Sequence, residues 1–146
     1  MIVIFFIDLK EQIIPDEMQI ALFINILLSK IVVGTSVTVL GFAIVEGLIV
    51  LLPILLLYLL TKGRGMGFGD VKLAFNMGFF LGLKGGLVAI YAGFILGAIS
   101  GIILLLMKKK KMKSKIAFGP FLVIGMFIIL FFEKPIFNLI QKIYGV

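Results

Sequence analysis

With 146 residues, 62% of them hydrophobic, and a formal net charge of +7, the chain is too apolar for a soluble domain of its size, where about half apolar is usual, and it reads as an integral membrane protein. It has no cysteine and no histidine, which excludes disulfides, thiol catalysis, thiolate metal sites and the commonest general base; no metal and no cofactor is expected, and seven carboxylates with the amines and hydroxyls must carry any chemistry. The charge is not a nucleic-acid footprint, because six lysines (Lys108 to Lys111, Lys113 and Lys115) share one short loop between apolar runs, the pattern of a membrane anchor facing the cytoplasm.

Met1 to Ile7 is apolar but lacks the basic start and small-residue cleavage site of a signal peptide. It is also far shorter than the roughly 20 residues a crossing needs. Either it inserts shallowly or it is the end of a span that begins outside this chain. Asp8 follows, where the apolar run meets an expected polar loop from Leu9 to Asp16. Pro15 disfavours a helix running through, and Asp16 with Gln19 three residues later resembles a capping box, so a helix is expected to start at Asp16 and run to about Val33. That gives Asp16 a structural explanation which Asp8 lacks.

Gly34 to Ser36 reads as a turn, followed by a span from about Val37 to Leu60 with a kink at Pro53. Glu46 lies within it, and an ionisable group at that depth is a functional candidate by default, although a protonated Glu bonded to a neighbouring helix accounts for it equally well. After Lys62-Gly63-Arg64 comes Gly65-Met66-Gly67-Phe68-Gly69-Asp70, three glycines at alternate positions and an acid at the start of an apolar helix. Without side chains such a loop can lie flat against neighbouring helices. From Asp70 to Lys108 there is length for two spans, with Lys84-Gly85-Gly86 as the expected turn between them. The second carries Gly93, Gly97 and Gly101 at four-residue spacing, a face for close helix packing. Beyond the lysine loop, a last span is expected from about Ile116 to Phe132, beginning Phe118-Gly119-Pro120-Phe121. In the tail, Ile136, Leu139, Ile140 and Ile143 recur at near-helical spacing, as in an interfacial helix.

The expectation is thus an all-α, polytopic transmembrane helix bundle of about five spans plus a short N-terminal apolar segment, one membrane-embedded domain over residues 1–146. If the loops around Asp8 to Asp16, Thr61 to Lys72 and Lys108 to Lys115 share a side, ten basic residues lie there against four opposite, so the positive-inside rule makes that side cytoplasmic. The same arrangement puts Asp8, Asp16 and Asp70 on one face. Two carboxylates brought close cannot easily both ionise, so one keeps a proton while its partner is charged. The charged one can take a proton from water attacking a peptide carbonyl, and the protonated one can donate to the developing oxyanion or leaving amine. On these residues alone, Asp70 as a helix cap and Asp8 as an interfacial acid solvated by headgroups are competing readings.

Taken together, Phe6 to Asp16, Gly67-Phe68-Gly69-Asp70-Val71-Lys72-Leu73 and Phe118-Gly119-Pro120-Phe121-Leu122, in that order and spacing, closely resemble the type IV prepilin peptidases, membrane aspartic proteases of the GxGD class. The resemblance covers nearly the whole chain. It implies Asp8 and Asp70 as the catalytic pair, with Gly67, Gly69, Lys72, Pro15 and Asp16 supporting the site loops. It also implies a type IV prepilin or pseudopilin precursor as substrate, with the basic leader cut at the cytoplasmic face of the cell membrane, after a glycine and before the hydrophobic pilin helix. Bifunctional members carry an N-terminal methyltransferase region with paired zinc-binding cysteines, which this chain lacks, so methylation by that route is not expected of it. Members also have a complete span before the first catalytic acid, which implies a truncated or split version of a longer enzyme here. Two other functions compete: a catalytically inactive or partner-dependent scaffold subunit of a pilus or secretion system, and a small channel in which Glu46 handles protons.

Overall fold

The computed structural model describes residues 1–11, 13–63, 66–107 and 117–144; the lysine loop, Arg64, Gly65 and Ile116 fall outside them. Five helices follow in order: α1 Ile2–Glu11, α2 Asp16–Val32, α3 Val37–Thr61, α4 Phe68–Leu106 and α5 Gly119–Tyr144. No strand occurs among the described residues. Helix α1 runs past the expected polar boundary: Leu9 to Glu11 add a further turn beyond Asp8, which puts Asp8 one turn after Ile4 on the same face, and both are buried.

Helices Val37–Thr61, Phe68–Leu104 and Gly119–Ile136 are long and apolar enough to cross a membrane. The middle one is not straight. Gly82 has φ 76° and ψ 178°, a conformation closed to residues with a side chain, and the helix folds back there. The proof is across the break: a Cβ built on Gly86 would stand 3.1 Å from Gly78 Cα, although the two are eight residues apart. The two helical segments expected between Asp70 and Lys108 are the two halves of α4, but the turn is at Gly82 and not at Lys84 to Gly86, and the half before it is only 14 residues long. Gly85 and Gly86 are used for packing instead, against Leu81 and Val50. With α2 packed on α4, α3 and α5 on either half of it and α1 on α5, the whole is a polytopic helical bundle.

Small residues set the helix spacing. A Cβ on Gly78 would stand 2.8 Å from Gly47 Cα, so α3 and the first half of α4 touch backbone to backbone. On the other half, Gly93 stands under the Phe121 carbonyl and Gly97 under Phe118 and Phe121, which gives these two members of the glycine stripe their packing role. Gly125 of α5 completes that seam, since an added Cβ would collide with the Ala89 carbonyl and lie 3.0 Å from Gly93 N. Gly125→Val is accordingly expected to cost about 1–3 kcal/mol of stability through overpacking. A lowered thermal midpoint in detergent micelles would show it; an unchanged midpoint would mean that α4 and α5 separate freely at this seam.

One core joins the pieces: Ile4 of α1, Ile14 of the α1–α2 connection, Val50 and Ile54 of α3, Leu73 and Met77 of α4, and Leu122 and Val123 of α5 pack together. Outward faces carry exposed apolar side chains such as Phe42, Leu60, Tyr91 and Phe131, suited to a lipid environment. Helix α5 departs from helical geometry at Phe132, with φ −122° and ψ 24°, where the last span was expected to end and an interfacial helix to begin. The side chains of Leu139, Ile140 and Ile143 lie outside the description.

Candidate active site

The helix α4 begins with a reciprocal turn. Asp70 N–H donates to the Gly67 carbonyl at 3.1 Å, and Gly67 N–H donates to Asp70 Oδ2 at 3.0 Å. Asp70 thus serves the helix start from the third helical position, holding the orphan amide that precedes it. This occupies one carboxylate oxygen only. The other, Oδ1, points towards α5: a Cβ built on Gly119 would lie 3.1 Å from Asp70 Oδ1 and would collide with Asp8 Oδ2. A volume no larger than a methyl group therefore touches both carboxylates.

Asp8 and Asp70 are each buried, 4% and 5% exposed, and they come from helices that begin 66 residues apart in sequence. Asp8 Oδ2 has no hydrogen-bond partner among the described residues. A buried carboxylate oxygen left so is costly, and such atoms collect where chemistry or a ligand needs them. Burial pushes the Asp8 carboxyl above its ordinary range, and the backbone N–H of Gly119 pulls the other way.

Ile14 holds the site together from below. Its side chain is buried, and it lies against two glycines at once: Cβ atoms added to Gly69 and Gly119 would each stand 3.0 Å from it. The connection after α1, the glycine loop and the start of α5 consequently meet at one end of the bundle. Those are the segments that span counting put on a common side, with the start of α5 standing in for the lysine loop.

The sequence-expected supports divide. Gly67 and Gly69 lie at the two carboxylates, one donating its N–H to Asp70 and the other closely approaching Ile14. Pro15 is the N-cap of α2, its carbonyl accepting from Met18 and Gln19 N–H. The expected capping box is a correction. Asp16 makes no cap bond, because Pro15 already occupies the cap and the Asp16 carboxylate is drawn instead to Lys72 Nζ at 2.6 Å; Gln19 turns its side chain away to the Gly69 carbonyl. The Asp16–Lys72 pair is exposed, and such pairs are worth only about 0–1 kcal/mol. Asp16→Asn is therefore expected to change the rate of any reaction at Asp8 and Asp70 by less than about threefold. A loss beyond tenfold in a steady-state assay would place Asp16 in the chemistry.

Glu46 is not in this cluster. Its carboxylate lies beside Gly82, where an added Cβ would be 3.5 Å from Oε2, and Gly82 is twelve residues along α4 from Asp70, about 18 Å at the helical rise. Gly119 and Ile14 were not singled out by residue type, although both stand inside the motifs quoted above. Gln19 and Asn76, buried and bonded to each other, were also missed as partners.

Residues 1–102 match the type IV leader peptidase family. Among curated proteins, the chain is 33% identical over 135 residues to the prepilin leader peptidase/N-methyltransferase of Aeromonas salmonicida (strain A449), covering 90% of this chain and 46% of that protein. The protein of the same description from Legionella pneumophila is 36% identical over 136 residues, 91% of this chain and 47% of the relative. That from Pseudomonas aeruginosa is 30% identical over 132 residues, 89% and 46% respectively. The chain spans about half the length of the curated relatives it matches. No solved structure gives a significant match.

Proposed function

Because the chain belongs to the type IV leader peptidase family, we propose that it cleaves the leader peptide from type IV prepilin or pseudopilin precursors, with Asp8 and Asp70 as an aspartic dyad at the cytoplasmic face of the cell membrane. The observation that carries this reading is the pair of buried carboxylate oxygens, Asp8 Oδ2 and Asp70 Oδ1, facing one methyl-sized volume beside Gly119. Burying even one carboxylate as deeply as these two are buried is costly in an apolar bundle. Two that share a space have a defined chemistry.

With one proton between them, the ionised carboxylate accepts a proton from a water molecule as the water oxygen attacks the scissile carbonyl. The protonated partner donates to the oxygen that gains charge. Collapse of the tetrahedral intermediate then returns a hydroxyl proton to the carboxylate that donated one and breaks the C–N bond, while the carboxyl that took the proton from water gives it to the leaving amine. The dyad acts as a unit, so neither residue is assigned a fixed role. The fixed orientation of Asp70, with Oδ2 held by Gly67 N–H, leaves Oδ1 free for the substrate side. Basic residues on the same side as the dyad support the cytoplasmic orientation by the positive-inside rule.

The test uses the protein in liposomes with a pilin precursor whose basic leader ends in glycine. Mass spectrometry of the products is expected to show one cut, immediately after that glycine. Cleavage at unrelated positions, or none by a folded and inserted protein, would overturn the proposal.

A further inference from the structure

Two primary amides are buried in the apolar bundle beside the glycine loop. Gln19 of α2 and Asn76 of α4 are 4% and 3% exposed, and they border a groove of about 440 Å³ lined otherwise by apolar residues including Phe23, Leu51, Leu55 and Phe75, with Lys72 at its edge. Simple packing at such positions is better served by leucine or methionine, since a buried amide is tolerated only when bonded. These amides are bonded in a directed chain. Asn76 Nδ2 donates to Gln19 Oε1 at 2.9 Å and to the Gln19 backbone carbonyl at 3.3 Å, and Gln19 Nε2 donates to the Gly69 carbonyl at 3.0 Å.

The direction has a consequence. Asn76 satisfies Gln19 Oε1, so the Gln19 amide cannot turn over, and its N–H is committed to Gly69. The Gly69 carbonyl and the Asp70 N–H belong to one planar peptide unit. Fixing that carbonyl against α2 fixes the plane from which the Asp70 side chain leaves the backbone. Gly69 and Asn76 are seven residues apart, two turns on one face of α4, so Gln19 grips the same face at both ends. The price is visible at Asn76 Oδ1, which is buried without a partner among the described residues.

We propose that Gln19 and Asn76 form a positioning relay that sets the height and tilt of the Gly67–Asp70 loop, and so the placing of Asp70 Oδ1 against Asp8. This role acts through Asp70 and needs no contact of Gln19 or Asn76 with the substrate. The relay rests on the peptidase reading for its consequence in catalysis, but its hold on the loop can be measured without catalysis. The chain contains no cysteine, so a thiol introduced by Met66→Cys, beside the loop and half-buried against the core, is a clean reporter.

The experiment takes the full chain in liposomes with Met66→Cys, alone and combined with Gln19→Met, Asn76→Leu or both. Maleimide labelling is expected to quicken about five- to tenfold in each single variant, the effect of one lost hydrogen bond on local opening. The double variant is expected to label no faster than Gln19→Met alone, because the two act through one contact. For leader release, kcat is expected to fall about tenfold or more with KM within twofold, as misplacement of a reacting group predicts. Unchanged labelling in the single variants, additive effects in the double, or faster labelling with wild-type kcat would each overturn the relay. Absence of leader release by the parent protein would count against the peptidase function, and the labelling comparison alone would then decide whether the loop is held by Gln19 and Asn76.

Discussion

Gly119→Ala is expected to slow leader release by about 10²-fold or more while leaving the helices assembled. The added methyl group has nowhere to go: it would collide with Asp8 Oδ2, stand 3.1 Å from Asp70 Oδ1 and press on Ile14 Cδ1 at 3.0 Å. Two of these neighbours are the proposed catalytic oxygens, and the third is the residue that packs both site loops. Relief must therefore come from moving a carboxylate. A shift of about 1 Å in a reacting group costs on the order of 10²-fold in rate. The penalty in stability is smaller, about 1–3 kcal/mol for an overpacked position. A thermal midpoint lowered but still well above the assay temperature, beside a kcat/KM reduced by 10²-fold or more, would separate the two effects. Wild-type activity in Gly119→Ala would mean that the reaction takes place elsewhere.

Asp8→Asn and Asp70→Asn are each expected to reduce cleavage by about 10⁴-fold, the scale of losing one member of a catalytic unit, and combining them is expected to cost little more. Asparagine matches aspartate in shape, so the test is of charge and proton transfer and not of packing. At position 70 the amide oxygen can still accept from Gly67 N–H, which preserves the helix start. At position 8 the added N–H₂ group takes the place of an oxygen that has no hydrogen-bond partner among the described residues, and it can neither accept a proton from water nor donate one as an acid. Circular dichroism and membrane insertion should match wild type for both. Full activity in either variant would remove that residue from the mechanism.

The two acids were legible because each marks a discontinuity: Asp8 follows an apolar run, and Asp70 closes a glycine loop before another. Counting spans was enough to place both at one end, since every crossing reverses the chain. What decided the finer geometry was contact between segments remote in sequence. Gln19 sits three residues after Asp16, the spacing of a capping box, yet its side chain bonds to Gly69, 50 positions away. Local spacing could not reveal that competitor. Gly82, Gly85 and Gly86 offer three places for a turn, and only packing chooses among them: Gly85 and Gly86 are taken up against Leu81 and Val50, leaving Gly82 to adopt positive φ. Gly119 was visible only as part of a resemblance, because what it does is leave a space, and a missing side chain has no periodicity or charge to read.

The measurement that bears most directly on the account is mass spectrometry of a pilin precursor, with a basic leader ending in glycine, after incubation in liposomes with the wild-type chain or with Asp70→Asn. Release of the intact leader by wild type and none by the variant is the predicted result. Equal release by both proteins would contradict it, because the peptide bond would then be broken without the carboxylate on which the proposed dyad depends.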